Sequence, residues 1–287
     1  MSSTPRGSSR DTQVKERPSW LRALGLESPP ETIEISGETH RLRETFKHDS
    51  WAATALYEGP AHQLRVVKLH RKSSLLGIPM ARVGLWTARN EIKLLGSLAG
   101  LKGIPVLAGP VRIDGPNLEN AVAREYVAGH PLGNRERVND QFFGNLQQLL
   151  RSMHERRIVY VDLHKRENII VTEAGDPCLI DFQISLLWPL WLPLGPLFRI
   201  FCRSDEYHLI THWFRCRPDQ CGVEYEDIKR RKPWWIKVHR QIAQPIREFR
   251  RWILVRIGVR SGRGRVETET FAEHALRDIS NAEDRAA

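Results

Sequence analysis

A chain of 287 residues, 41% hydrophobic and 27% charged, can bury one large core or two lobes, which excludes a disordered polyelectrolyte. Four cysteines in that length exclude a disulfide scaffold and point to a reducing, cytoplasmic setting. The net charge of +10 is local: residues 229–265 hold thirteen Lys or Arg against the single acid Glu248, so that stretch carries +12 and the remainder −2.

No apolar core follows a basic start at the N-terminus, which argues against a signal peptide. Residues 1–19, rich in Ser, Thr, Arg and Pro, read as a disordered arm. Trp20, Leu21, Leu24 and Leu26 suggest a short docking turn. Residues 32–57 open a sheet, and inside them 46–55 carry small residues but no glycine. Residues 64–70 alternate as a strand bearing Lys68. Residues 80–96 predict a helix with Val83, Trp86, Ile92, Leu94 and Leu95 on its apolar face and with Glu91 available to Lys68. Two strand-like runs follow, 105–113 and 121–127, across a Gly-Pro-Asn turn. Residues 140–157 predict a helix on Phe142, Leu146, Leu149, Leu150 and Met153, with Asp140 as its N-cap.

The stretch 158–185 is the most informative. Asp162 and Asp181 each follow an apolar run, and between them lie Asn168 and an apolar–turn–apolar pattern that reads as a hairpin. That places two carboxylates and an amide at strand ends around one pocket. Such oxygen donors suit a hard divalent cation, and Mg²⁺ takes one or two carboxylates together with substrate phosphates.

Residues 184–202 are apolar, uncharged as far as Phe198, and broken by Pro189, Pro193 and Pro196. The prolines argue against a spanning helix. Two readings remain: a buried, kinked segment, or a surface that dips into a bilayer interface with Trp188 and Trp191 at headgroup depth. Residues 205–216 predict a helix on which His208, His212 and Cys216 recur every fourth residue, a spacing weighed as a zinc site. Residues 229–259 combine basic residues with Trp234, Trp235, Phe249 and Trp252, the pattern of a membrane-surface helix, with nucleic acid as the rival partner and a solvated face as the plain one.

The order and spacing of these residues resemble the protein-kinase-like superfamily, whose catalytic loop reads H-R-D and whose metal loop reads D-F-G. Tyr160, Val161 and Asp162 stand in the first motif, and Asp181, Phe182 and Gln183 in the second. The loop from Leu163 to Asn168 is one residue longer than the D-L-K-P-E-N spelling, so either His164 or Lys165 is the basic helper. The resemblance implies an α+β, bilobal fold, with a β-rich N-lobe over 20–124, a short and mainly helical C-lobe over 125–259, and a disordered tail over 260–287. It implies ATP and Mg²⁺ as ligands, and it places 46–55 where the family has a Gly-rich loop, so that the amides of 50–53 are candidates to cover the phosphates. Asp162 and Lys165 are then the catalytic pair, Asn168 and Asp181 hold the metal, and Lys68, oriented by Glu91, grips the phosphates. Residues 124–129 resemble the hinge, where backbone groups near Glu125 and Val127 would bond the adenine edge. His154 matches a packing histidine, and Asp205 a carboxylate that anchors the catalytic loop.

The polar activation loop and A-P-E of ordinary protein kinases are missing, and the chain looks closer to small atypical bacterial kinases, including lipopolysaccharide-core sugar kinases. The resulting expectation is γ-phosphate transfer to a protein Ser/Thr or a membrane glycolipid. The protein would be cytoplasmic and peripheral at the inner face of the membrane, in contact through 184–202 and 229–259. The altered motifs and the glycine-free loop motivate the alternative, a membrane-associated pseudokinase scaffold.

Overall fold

The computed structural model describes residues 18–75 and 78–223, with 227, 228, 230, 252, 255 and 256. The arm, most of the basic 229–259 segment and the tail lie outside the described residues.

The first half is one antiparallel sheet of seven strands: β1 (Thr32–Ile35), β2 (Glu38–His48), β3 (Ala52–Glu58), β4 (Leu64–His70), β5 (Leu107–Gly109), β6 (Val111–Arg112) and β7 (Ala121–Glu125). Its order is β5-β7-β4-β3-β2-β1-β6. The predicted strand over 105–113 is two strands, β5 and β6, at opposite edges of the sheet. Pro110 alone separates them, and Gly109, at φ +115°, makes the turn that proline and sheet curvature require. Two edges one residue apart in sequence mean the sheet is strongly curled. Its concave side holds Ile33, Ile35, Ala55, Tyr57, Val67, Leu69 and Ala123.

Helix α1 (Ala81–Ser97) lies where expected, but its packing face does not follow hydrophobicity. Gly84, Ala88, Glu91, Leu94 and Leu95 are buried, whereas Val83, Trp86 and Ile92 are exposed. The reason is steric. A Cβ at Gly84 would sit 1.9 Å from the Arg71 carbonyl oxygen, so the helix settles onto the end of β4 through its smallest residues. That contact carries Glu91 under the sheet.

Arg71 itself is a buried fastener. Its guanidinium donates to the carbonyls of Trp20 (2.9 Å), Ser50 (2.6 Å), Ser73 (2.9 Å) and Ser74 (2.7 Å), tying the N-terminal turn and the β2–β3 turn to the end of β4. In that N-terminal turn Leu21 and Leu24 are buried, while Leu26 is exposed.

The second half contains β8 (Gly129–Pro131), α2 (Phe142–Glu155), β9 (Ile158–Val159), β10 (Ile169–Thr172), β11 (Pro177–Leu179), β12 (Leu186–Leu187) and α3 (Pro196–Cys216). A four-residue helix, Pro218–Cys221, follows α3. The expected hairpin is β10–β11, joined by β8 into a three-stranded sheet. Helix α2 buries the predicted apolar stripe, each Leu or Phe contributing about 1.5–3 kcal/mol. Asp140 does not cap it. The N-cap is Gln141, without a side-chain bond, because Asp140 pairs instead with the buried Arg217 at 2.7 Å. Helix α3 begins inside the apolar run, at Pro196, where a missing N–H costs nothing in a first turn.

The chain is therefore α+β. The core that joins Ala88, Leu94 and Leu95 of α1 to Phe142, Leu146, Leu150, Ile169 and Leu179 fixes the sheet against the helical half. All four cysteines are free.

Candidate active site

Lys68 and His70 share one face of β4, as residues two apart on a strand must. Lys68 Nζ donates to Oε2 of the buried Glu91 at 3.1 Å, and His70 Nε2 lies 3.2 Å from the same oxygen but off hydrogen-bonding angle. Lys68 also donates to Asp181 Oδ1 at 2.6 Å, across 113 residues of sequence. Burial works against both charges. For Glu91 the opposing pull of Lys68 and His70 wins and holds the carboxyl down to about 2. For Lys68 the carboxylates of Asp181 and Glu91 win and raise the amine above the ordinary lysine range. The result is a chain of alternating charge, carboxylate, ammonium, carboxylate, with an imidazole at its buried end.

Asp162 lies in the loop after β9. Asp205 of α3, fully buried, accepts from the backbone amides of Tyr160 and Val161, both at 2.9 Å, and from His154 at 3.1 Å. Asp205 is thus the anchor of the loop and His154 a packing partner, as the resemblance implied. Val161 sits at φ +69°, a left-handed conformation that is costly for a β-branched residue, and the Asp162 amide closes back on the Tyr160 carbonyl at 2.8 Å. Asp181 is likewise left-handed, at φ +66°. Backbone strain of this kind persists where its surroundings over-determine it, and two acid-bearing loops hold it here.

Tyr160, in place of the motif's histidine, is wholly buried and packs edge-on against Phe182 with ring centroids 5.3 Å apart. Its hydroxyl donates to the Ile180 carbonyl, so it links the loop of Asp162 to that of Asp181. Burial raises its pKa well above the usual tyrosine value, and the charges of Asp181, Asp162, Asp205 and Glu91 add to the effect. Asn90, beside Glu91 on α1, donates to the Ser185 carbonyl at 3.1 Å and fastens the helix to the same loop.

Asp162 accepts from Lys165 Nζ at 2.7 Å and from Asn168 Nδ2 at 3.0 Å, both on Oδ2. His164 Nδ1 lies 3.2 Å from Oδ1, but off hydrogen-bonding angle, and Oδ1 is buried without a hydrogen-bond partner. Both candidate basic helpers therefore reach this carboxylate. A buried carboxylate oxygen left unbonded is costly unless a ligand supplies the proton or cation. Because Asn168 turns its amide nitrogen to Asp162, its oxygen is the end left for a cation. With the carboxylate of Asp181 this donor set fits a hard ion that shares its shell with phosphate oxygens.

The remaining assignments separate. The Glu125 amide is taken by Val106 O at 2.9 Å, and its side chain lies near Arg65. Val127 is half-buried and makes none of the backbone hydrogen bonds found outside helices and strands among the described residues. Two of the four candidate phosphate-covering amides are occupied: Asp49 Oδ1 accepts from Trp51 N at 2.7 Å and Ala52 N at 2.9 Å, so the β2–β3 connection is a turn capped by its own carboxylate. The zinc reading fails, since His212 Nε2 is bonded to the Leu163 carbonyl at 2.7 Å and no cluster of three or more His, Cys, Asp or Glu able to hold a metal occurs among the described residues.

Sequence reasoning missed His70, whose signal was its two-residue offset from Lys68, and Arg124, the half-buried cation at the end of β7. Burial pushes the Arg124 guanidinium pKa down, against the pull of Glu91, Cys178, Asp181 and Tyr160. No family model and no curated protein matches the chain.

Proposed function

We propose that this cleft binds Mg·ATP and transfers its γ-phosphate to a hydroxyl, on a protein Ser/Thr or a glycolipid sugar, within a bilobal kinase-like fold. The observation that carries the reading is the Lys68 ammonium, shared between Glu91 and Asp181 at the junction of the sheet and the helical half. In the absence of phosphate a cation so placed pairs with the nearest acids. With phosphate present, Glu91 and His70 keep it aimed while Asp181 is released toward the metal. Asp162 then accepts the acceptor hydroxyl's proton on its unbonded oxygen, and Lys165 offsets charge on the transferring group. Asn168 and Asp181 would hold Mg²⁺, which neutralises charge on the phosphate oxygens when bound.

One observation favours the scaffold alternative: the amides of Trp51 and Ala52 are engaged by Asp49, which takes two of the four candidate donors away from a phosphate. Thermal shift with Mg·ATP separates the two. Wild type should be stabilised by nucleotide, and Lys68→Ala and Asp181→Ala should not. Asp162→Asn should keep the shift while losing about 10²–10⁴-fold in phosphoryl transfer. A wild type without any nucleotide-dependent shift sinks the kinase reading in favour of the scaffold.

A further inference from the structure

The surface between β12 and α3 inverts the usual rule for loops. Leu190 is 85% exposed and Trp191 82%, followed by Leu194 at 46% and Leu197 at 53%. Single exposed apolar residues need no explanation, but four within eight positions form a patch. Trp188, expected at headgroup depth, is not part of it: it is buried against Phe198 and Val159 and serves as the root of the loop.

Part of the backbone beneath this patch is tied to the rest of the fold. Arg157 Nη1 is shared among the carbonyls of Pro189 (3.3 Å), Leu190 (3.4 Å) and Leu192 (3.3 Å). Trp188 donates its amide to Arg157 O at 2.8 Å and its indole to Pro193 O at 3.1 Å. Leu192 N bonds Pro189 O at 3.1 Å and Gly195 N bonds Pro193 O at 2.7 Å. Pro189, Pro193 and Pro196 have no N–H to satisfy. These contacts fix the shape of the loop, so its apolar side chains are presented without the cost of ordering the chain on binding.

Charge selects the medium. No charged residue interrupts 184–198, and the first ones beyond it, Arg199 and Arg203, are both exposed and stand four apart on one face of α3. We infer that Leu190, Trp191, Leu194 and Leu197 form a preorganised wedge that enters the headgroup region of an anionic bilayer, with Arg199 and Arg203 as its basic collar. Tryptophan and arginine are the side chains that such an interface favours. The contact is interfacial: no helix among the described residues is long and apolar enough to cross a membrane. The inference rests on this surface alone and stands or falls apart from nucleotide binding.

Flotation of the full-length protein with vesicles of equimolar phosphatidylcholine and phosphatidylglycerol tests it. Wild type should float, and the double variant Leu190→Ser/Trp191→Ser should lose about tenfold or more in partitioning at unchanged melting temperature. Arg199→Gln/Arg203→Gln should weaken binding to these vesicles and leave binding to pure phosphatidylcholine unaltered. Equal flotation of wild type and the apolar double variant, or no flotation of wild type, overturns the wedge. A melting temperature lowered by the apolar substitutions assigns the patch to a segment of the same chain. A dimer of the wild type in light scattering that the same substitutions dissolve assigns it to a second copy. Either result also overturns the wedge.

Discussion

The cleft and the wedge break the ordinary partition of side chains in opposite directions. In the cleft, charged groups are buried: Glu91 and Asp162 are almost wholly enclosed, and the backbone around them is strained at Val161 and Asp181. At the wedge, apolar groups are exposed and the backbone beneath them is tied to Arg157 and Trp188. One arginine, Arg157, supports three wedge carbonyls, much as the carboxylate of Asp205 supports two amides beneath the cleft. The two regions share β9 and its pairing with β12, so one short ladder positions both. The lesson is that departures from hydrophobic-in, polar-out are informative when the surrounding hydrogen bonds show that the fold supports them.

The sharpest way to break this comparison is to remove the cleft's support. Asp205→Ala leaves the amides of Tyr160 and Val161 buried without an acceptor and should cost about 3–5 kcal/mol in chemical denaturation. Asp205→Asn, which keeps one acceptor, should cost about half that. Equal stability of all three proteins would mean that the loop is held by something else.

The next effect is pH-dependent and lies beside the cleft. Burial holds His212 down to about 4 from its ordinary 6.5; the Leu163 carbonyl opposes this in part, and the charges of Arg215, Arg166 and His164 add to it. The unfolded chain therefore binds a proton that the folded chain refuses. Stability present above pH 6.5 should fall by about 3 kcal/mol as pH drops toward 4. His212→Gln, able to donate to Leu163 O, should flatten melting temperature over that window. The carboxyls of Glu91 and Asp49, each held to about 2 against burial chiefly by Lys68 and Lys47 respectively, lose their contribution from their ordinary 4.5 and 3.8 downward, mostly below this window. An unchanged slope in the variant would assign the acid sensitivity elsewhere.

The smallest effect sharpens the cleft itself. His70→Phe removes the imidazole that stands 3.2 Å from Glu91 Oε2 and should weaken Mg·ATP binding about tenfold by calorimetry, or about 1.4 kcal/mol. His70→Gln, which still offers Glu91 a proton, should restore most of it. Thr87, bonded to the other imidazole nitrogen at 3.0 Å, fixes the ring, so the loss should not depend on global stability.

Much of this was legible beforehand. The strand of Lys68, the helices α1 and α2 and the β10–β11 hairpin follow from periodicity and turn residues, because side-chain spacing maps directly onto faces of regular elements. The five side chains Lys68, Glu91, Asp162, Asn168 and Asp181 were singled out by type and order, and the structure brings Lys68, Glu91 and Asp181 into direct contact and Asn168 onto Asp162. What periodicity misread were positions where a single close approach outweighs the sum of hydrophobicities, as at Gly84, or where a distant arginine captures the expected cap, as Arg217 captures Asp140.

The sequence by itself determined the chemical inventory and the regular elements, since both depend on residue identity and short-range spacing. Only the tertiary structure decided which oxygen of Asp162 lacks a partner, that His70 shares Glu91 with Lys68, and that Trp191 rather than Trp188 faces outward. Each of those outcomes depends on contacts between segments far apart in the chain, where ångström-scale packing and hydrogen-bond geometry choose among arrangements that local sequence leaves equal.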